Sequence, residues 1–351
     1  MNGLRADFAR LRERLHRFGE EREAVPPPCC IDLKVTTACM LRCAMCRSWA
    51  MPRRQLPLDT WRRAVDELAS WSGAAKIVFS GGEPLMVDDL PDLIRHCSAL
   101  GFSTVLPSNG WLLDAAMIDR LAEAGLSTLL LSLEARDPLH DRLRGREGVW
   151  QRVEAALQRL REVSPPYTVN LQTIILAQNL EHVCGLVQWV LEDPLLSSIN
   201  FQAVAPTFGE PEERGWHQRS ELWPRDLGQL DEILQRLAAL RREGAPIVNE
   251  PYHFAFYQRY FRDPDQFTAH RCDLGRILLM VDDQGEVSSC FRLGSIGNVR
   301  EAPLRDLWHG PRASELRRAI RSCAVSCNLP VNCNFEENAR LACPDLLQGG
   351  A

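Results

Sequence analysis

A chain of 351 residues is long enough for one large domain and a smaller one, and its 45% hydrophobic and 25% charged residues are those of a soluble globular protein. The net charge of −5 offers no general attraction to nucleic acid, no apolar run approaches the ~18 residues of a membrane span, and the charged first 25 residues contain no signal peptide. Thirteen cysteines without a secretion signal point to metal or redox chemistry in a reducing cytoplasm, and the odd number suits a disulfide framework poorly.

In chain order, residues 3–23 place Leu4, Phe8, Leu11, Leu15 and Phe18 at helical spacing, which predicts an amphipathic helix broken by Pro26-Pro27-Pro28. Apolar strand-like runs follow at 31–35, 76–80, 103–107, 128–133, 168–176 and 198–204. Helical patterns lie between them: Trp61, Val65, Leu68 and Trp71 share a face, as do Val153, Leu157 and Leu160, and others fall near 89–100, 114–124 and 180–191. Strand, helix and strand at this spacing predict right-handed βαβ units and a parallel sheet, whose chemistry belongs at the C-terminal strand ends. Residues 205–245 read as a loop and a helix (about 226–243) bridging two domains, and the aromatic run 251–261 as core packing or part of a substrate wall.

The most informative motif follows the first strand: Cys39, Cys43 and Cys46, spaced C-x3-C-x2-C. Three thiolates on one short loop can hold three irons of a [4Fe–4S] cube and leave the fourth open to a ligand, which four cysteines would close off. A zinc loop is the other reading of the spacing. After the second strand comes Ser80-Gly81-Gly82-Glu83-Pro84, where two glycines without Cβ atoms let the main chain approach a ligand closely.

On these residues the chain resembles the radical S-adenosylmethionine (radical SAM) enzymes: the family's C-x3-C-x-Φ-C motif matches 39–46 and its GGEP motif matches 81–84. The position before the last cysteine, commonly aromatic in that family and packed near the adenine, is Met45 here, whose thioether can also cover a π face. The resemblance implies an α/β fold, a partial (β/α)6 TIM-like barrel, with Gly81, Gly82, Glu83 and Pro84 near the SAM amino group. Glu83 either helps bind that group or braces the loop. The resemblance further places Ser108 and Asn109 at the end of strand three, Ser132 and Arg144 toward the ribose or carboxylate of SAM, and Gln172 as a ribose partner. Arg144 suits a carboxylate because guanidinium binds it in a two-point fork. The implied chemistry is one-electron cleavage of SAM at the open iron to methionine and a 5′-deoxyadenosyl radical, which takes a hydrogen atom from the substrate. An external one-electron reductant of flavodoxin or ferredoxin type is implied as partner.

A second cysteine field comprises Cys272, Cys290, Cys323, Cys327, Cys333 and Cys343. Ile277 to Val281, a turn at 282–285 and Val287 to Cys290 read as a hairpin flanked by cysteines. The pattern Cys272-x12-Gly285-x4-Cys290 resembles the opening of the SPASM and shorter twitch extensions of radical SAM enzymes, which hold auxiliary Fe–S clusters. A full SPASM run is C-x2-C-x5-C-x3-C; here Cys323-x3-Cys327-x5-Cys333 leaves Glu337 in place of a fourth cysteine. One auxiliary [4Fe–4S] cluster is therefore expected in a small twitch/SPASM-like domain. Cys272 and Cys290 would be ligands, with two more from Cys323, Cys327 and Cys333; a zinc site is the alternative. Cys97 and Cys184 lie on helix patterns and read as buried small hydrophobes.

The expected division is an N-terminal helical extension (1–28), the barrel (29–205), a bridge (206–265) and the auxiliary domain (266–351). Two substrate classes compete: a small polar natural product such as a sugar, aminocyclitol or nucleoside, oxidised at carbon, and a ribosomally made peptide to be cross-linked, epimerised or decarboxylated. The short segment before strand one leaves no room for a leader-binding domain and tilts the expectation to the small substrate. An Fe–S electron carrier is the remote alternative, but it needs neither an open iron nor a GGEP loop. Glu250, His253, His217 and Tyr252 lie where a proton acceptor could sit; none is assigned as a catalytic base.

Overall fold

The computed structural model describes residues 25–211, 213–265, 272, 274–323 and 327. The helix expected over 3–23, Cys333 and Cys343 lie outside them. Six parallel strands form in sequence order: β1 (Cys30–Thr36), β2 (Lys76–Gly81), β3 (Ser103–Ser108), β4 (Thr128–Ser132), β5 (Thr168–Ile175) and β6 (Leu196–Ala203). Between them run α1 (Leu58–Trp71), α2 (Leu90–Ala99), α3 (Ala115–Glu123), α4 (Pro138–Arg144), α5 (Val149–Val163) and α6 (Leu180–Glu192). Alternation along the strands decides the layering. Ile31, Leu33, Val35, Ile77, Phe79, Leu129, Leu131, Ile199 and Phe201 are fully buried in one core with the apolar stripes of the helices. The opposite face carries Ser80, Ser132, Gln172 and Gln202, which leaves a polar interior.

The six units agree with the partial barrel. The C-terminal hairpin joins the same sheet: β7 (Leu278–Val281) lies parallel to β1, and β8 (Glu286–Ser288) and β9 (Gly297–Asn298) continue antiparallel. Among the described residues the order is β6-β5-β4-β3-β2-β1-β7-β8-β9. The hairpin is docked by an ion pair between Lys34 on β1 and the buried Asp283 in its turn (2.7 Å).

The bridge comprises α7 (Leu227–Arg242) and α8 (Pro251–Arg262), followed after the hairpin by α9 (Leu304–His309) and α10 (Pro311–Arg321). The aromatic run is core. Phe254, Phe256, Tyr257, Tyr260 and Phe261 of α8 are buried, Tyr257 Oη donates to Phe201 O (2.8 Å), and Tyr260 Oη donates to Val204 O (2.9 Å). Asn249 covers the outer edge of β6 as a further strand would, accepting from Phe201 N (2.7 Å) and donating to Phe201 O (2.9 Å). Cys97 is fully buried, as its helical position predicts. No helix among the described residues is long and apolar enough to cross a membrane.

Candidate active site

A cavity of ≈ 350 Å³ opens at the C-terminal ends of the barrel strands. Cys39, Cys43 and Cys46 line it, together with Met45, Gly81, Gly82, Glu83, Pro84, Ser108, Asn109, Ser132, Arg144 and Gln172. Strand order brings these residues together, because consecutive parallel strands end side by side.

The cysteine loop is clamped on two sides. Gly82 N donates to Thr36 O (2.9 Å) and Glu83 N to Ala38 O (2.8 Å). A Cβ at Gly81 would lie 2.0 Å from Thr36 O, and one at Gly82 2.1 Å from Ala38 O. These glycines are therefore required where β2 meets the cysteine loop, a tighter constraint than the cofactor approach expected of them. On the other side, Arg42 N donates to Arg144 O (3.2 Å) and Ala44 N to Leu143 O (2.9 Å). Gly145, in the left-handed region at φ 67°, ends α4 where a Cβ would meet Arg42 O at 2.1 Å.

Glu83 braces the loop, one of the two readings open to it. Its carboxylate accepts from Ser108 Oγ (2.9 Å), Leu85 N (3.3 Å) and Asn109 N (2.8 Å), and burial pushes it up to about 7 against those bonds. The Ser108 hydroxyl is thus directed at Glu83. Arg144 is committed on one edge within the protein. Its Nε and Nη2 form a two-point fork on Glu134 (2.8 and 2.7 Å), so that edge is already taken, and Nη1 is directed at Cys43 Sγ (4.0 Å). Burial alone would raise Glu134, but Arg144 and the buried His140 outweigh it and hold the carboxyl well below the usual range. Gln172 Nε2 donates to Gln202 Oε1 (3.3 Å) across the cavity wall.

Each thiol of the loop has an N–H donor: Cys39 has Asn109 Nδ2 (3.9 Å), Cys43 has Arg144 Nη1, and Cys46 has Ser48 N (3.4 Å). Burial raises all three thiols, Cys39 to about 11, and the Cys43 thiolate would raise both Cys39 and Cys46. A metal cluster that takes up thiolate charge suits this set, and the half-buried sulfurs facing a cavity fit an iron–sulfur cube open on one side.

In the C-terminal region Cys272 lies close enough to Cys327, Cys290 and Cys323 for each thiolate to raise its pKa, after the larger effect of burial, which pushes it up to about 11. Of the three cysteines left open, the structure therefore brings Cys323 and Cys327 to Cys272 and Cys290; Cys333 is outside the described residues. Four thiols suit a closed cluster. Among the described residues no group of three or more His, Cys, Asp or Glu is within reach of a single metal ion.

None of Glu250, Tyr252, His253 and His217 lines the cavity. Glu250 and His253 form a reciprocal cap at the start of α8, and His217 packs between Trp216 and Trp223 with Asp265 at 3.8 Å. Motif reading missed Trp49, Glu134 as the holder of Arg144, and the wall 203–206 with Phe208. Phe208 reaches the site by pairing with the cysteine loop: Arg47 N donates to Phe208 O (2.7 Å) and Phe208 N to Met45 O (3.3 Å).

The open cysteine loop, the GGEP turn and the second cysteine set define a radical SAM enzyme with a C-terminal iron–sulfur domain, and the chain belongs to that family. The radical SAM superfamily model matches residues 33–190, and the SPASM iron–sulfur cluster-binding domain matches 272–334. The family brings a SAM-binding [4Fe–4S] cluster, SAM and auxiliary iron–sulfur. The chain is 27% identical over 312 residues (84% of this chain, 85% of the relative) to an AdoMet-dependent heme synthase of Methanosarcina barkeri (strain Fusaro / DSM 804). It is 28% identical over 299 residues (82% and 76%) to a PqqA peptide cyclase of Xanthomonas axonopodis pv. citri (strain 306). Its fold is that of anSMEcpe with bound AdoMet (TM-score 0.65, 15% identity, 92% of this chain and 98% of that one). It is likewise that of Streptococcus suis SuiB bound to S-adenosylmethionine (TM-score 0.66, 18% identity, 88% and 72%).

Proposed function

We propose that this enzyme oxidatively modifies a peptide. The kinship with a peptide cyclase, which covers 82% of this chain, carries the reading and favours a peptide over the small polar metabolite that the short segment before β1 suggested. The cavity supports it. Its ≈ 350 Å³ is at the lower end of what one small ligand needs, so a nucleoside-containing cofactor leaves the substrate to enter from the mouth, as a side chain of a longer chain can.

In this reading Cys39, Cys43 and Cys46 hold the SAM-binding cluster, and Cys272, Cys290, Cys323 and Cys327 hold one auxiliary cluster, a twitch-like complement. When bound, the first cluster supplies the electron that cleaves SAM, and the second can take up the electron left on an oxidised substrate. The chain's own residues do the positioning. Glu83 fixes Ser108 and Asn109 beneath the cysteine loop, Met45 offers a polarizable face to the adenine, and Ser132, Gln172 and Gln202 present hydroxyl and amide groups to the ribose or to a peptide backbone. Gly81 to Pro84 and the remaining Arg144 Nη1 face the amino-acid end of SAM. Residues 29–205 carry the radical chemistry, 206–265 bridge, and 266–351 carry the auxiliary cluster.

Anaerobically reconstituted enzyme is incubated with SAM, dithionite and a candidate precursor peptide, beside a variant with Cys39, Cys43 and Cys46 all changed to Ala. The wild type is expected to hold about eight irons and the variant about four. Only the wild type should form 5′-deoxyadenosine and a peptide lighter by two hydrogens. Deoxyadenosine formed with a small polar metabolite or a porphyrin, but with no peptide, would refute the substrate class; deoxyadenosine from the variant would refute the cluster assignment.

A further inference from the structure

The cysteine loop is ringed by cations that the chemistry of the cavity does not use. Arg42, Arg146 and Arg152 are exposed, none of them lines the cavity, and no carboxylate among the described residues forms an ion pair with them. They are contiguous through two indoles. The Arg146 guanidinium lies 3.6 Å from the centre of the Trp111 ring and that of Arg152 5.1 Å; Arg42 and Arg47 lie 5.5 and 5.4 Å from the Trp49 ring. Gly145, packed on Arg42 O, joins the two groups. Of the nearby acids, Glu210 pairs with Arg47 (2.7 Å), and Glu147 is exposed next to Arg146 in sequence. A basic field of this kind stands out on a chain with a net charge of −5.

The patch also lies next to the sulfurs. Trp111 N donates to Asn109 Oδ1 (2.9 Å), and Asn109 Nδ2 donates to Cys39 Sγ; Trp49 Nε1 donates to Cys46 O (2.9 Å). Trp49 therefore touches one proposed cluster ligand and Trp111 lies one residue away from another, and both are half exposed between arginines.

We propose that this Arg/Trp surface is the docking site of an acidic one-electron carrier that reduces the cluster of Cys39, Cys43 and Cys46. The proposal rests on that cluster assignment. Charge complementarity selects the occupant: an acidic protein is steered to a basic patch, and the indoles supply a flat apolar centre to a polar rim. The carrier loses one electron and the cluster gains it; no bond or proton changes hands. An acidic peptide is the rival occupant of the same charges.

The test uses the reconstituted holoenzyme and a reduced acidic flavodoxin as probe, with Arg146→Glu/Arg152→Glu and Arg146→Lys/Arg152→Lys double variants. Three readouts are taken: flavodoxin binding to the enzyme, the rate of cluster reduction by flavodoxin at low and high ionic strength, and 5′-deoxyadenosine formation with dithionite. In the Glu variant binding and flavodoxin-driven reduction should fall about tenfold, with the salt dependence largely lost, while dithionite turnover stays at the wild-type level. The Lys variant should recover most of the flavodoxin rate. Equal flavodoxin rates in wild type and the Glu variant would overturn the proposal. So would a matching fall with dithionite, or a wild type that binds an acidic precursor peptide at this patch and flavodoxin elsewhere. Dithionite turnover by the wild type separately tests the reading on which the proposal rests.

Discussion

Arg144 and Glu134 form a two-point, charge-assisted pair at 2.8 and 2.7 Å with the carboxylate fully buried, and the free Nη1 of the arginine points at Cys43 Sγ. Glu134 thereby sets where one cation sits against the cysteine loop. Removing its charge leaves a guanidinium buried without a partner. Glu134→Gln is expected to cost about 3–5 kcal/mol of stability and to weaken SAM binding; Arg144→Lys, a point charge without the fork, should fail to restore either. Chemical unfolding and equilibrium binding of SAM check this, and a variant as stable as the wild type would show that the pair does not hold the site.

Gly82→Ala places a methyl 2.1 Å from Ala38 O and 2.7 Å from Thr37 O, both backbone atoms that cannot rotate away. The cysteine loop must move instead. The variant should lose iron at Cys39, Cys43 and Cys46 while keeping the C-terminal iron, which roughly halves a content of about eight. Iron analysis with low-temperature EPR distinguishes this from general unfolding, which would empty both sites.

Asn109→Ala removes the amide donor to Cys39 Sγ without touching a proposed cluster ligand. Hydrogen bonds to cluster sulfur favour the electron-rich reduced form, so the variant should be harder to reduce. A weak bond of this kind corresponds to about 20–40 mV for a one-electron couple. An EPR-monitored redox titration reads the shift directly; an unchanged potential would mean that the donor has no electronic role.

The strands and most helices were legible because burial acts locally: β1 and β2 alternate Ile31, Leu33, Val35 and Ile77, Phe79 into the core as their patterns predict. The cavity was legible for the same reason, since residues at the ends of consecutive parallel strands must converge. What escaped was pairing across the chain. Glu134 reads as an ordinary strand-end residue and Arg144 as a SAM contact until α4 brings them together, and α4 is a two-turn helix signalled only by Asp137 as N-cap and Pro138 behind it. Phe208 joins the site through backbone pairing with Met45 and Arg47, more than 150 residues away, which no spacing rule reports. Likewise β7 carries an all-buried Leu278–Val281 run that fits a strand, but its choice of β1 as partner is set by tertiary packing.

His253 supplies the pH prediction. It is buried at the third position of α8, its Nδ1 accepts from Glu250 N (2.9 Å), and its Nε2 has no hydrogen-bond partner among the described residues. Burial pulls the imidazole down to about 4, because a charge on it would sit in the core away from water. With the folded value below the unfolded one near 6.5, the contribution is fully present above about pH 6.5 and is lost as the pH falls toward 4, where it amounts to about 3 kcal/mol. His253→Gln keeps an acceptor for the same N–H and does not titrate. The variant should therefore lose less stability than the wild type between pH 6.5 and pH 4, with the two curves parallel above neutrality. Thermal unfolding of both proteins across this range decides it, and curves that run parallel throughout would show that His253 is not the group whose protonation opens α8.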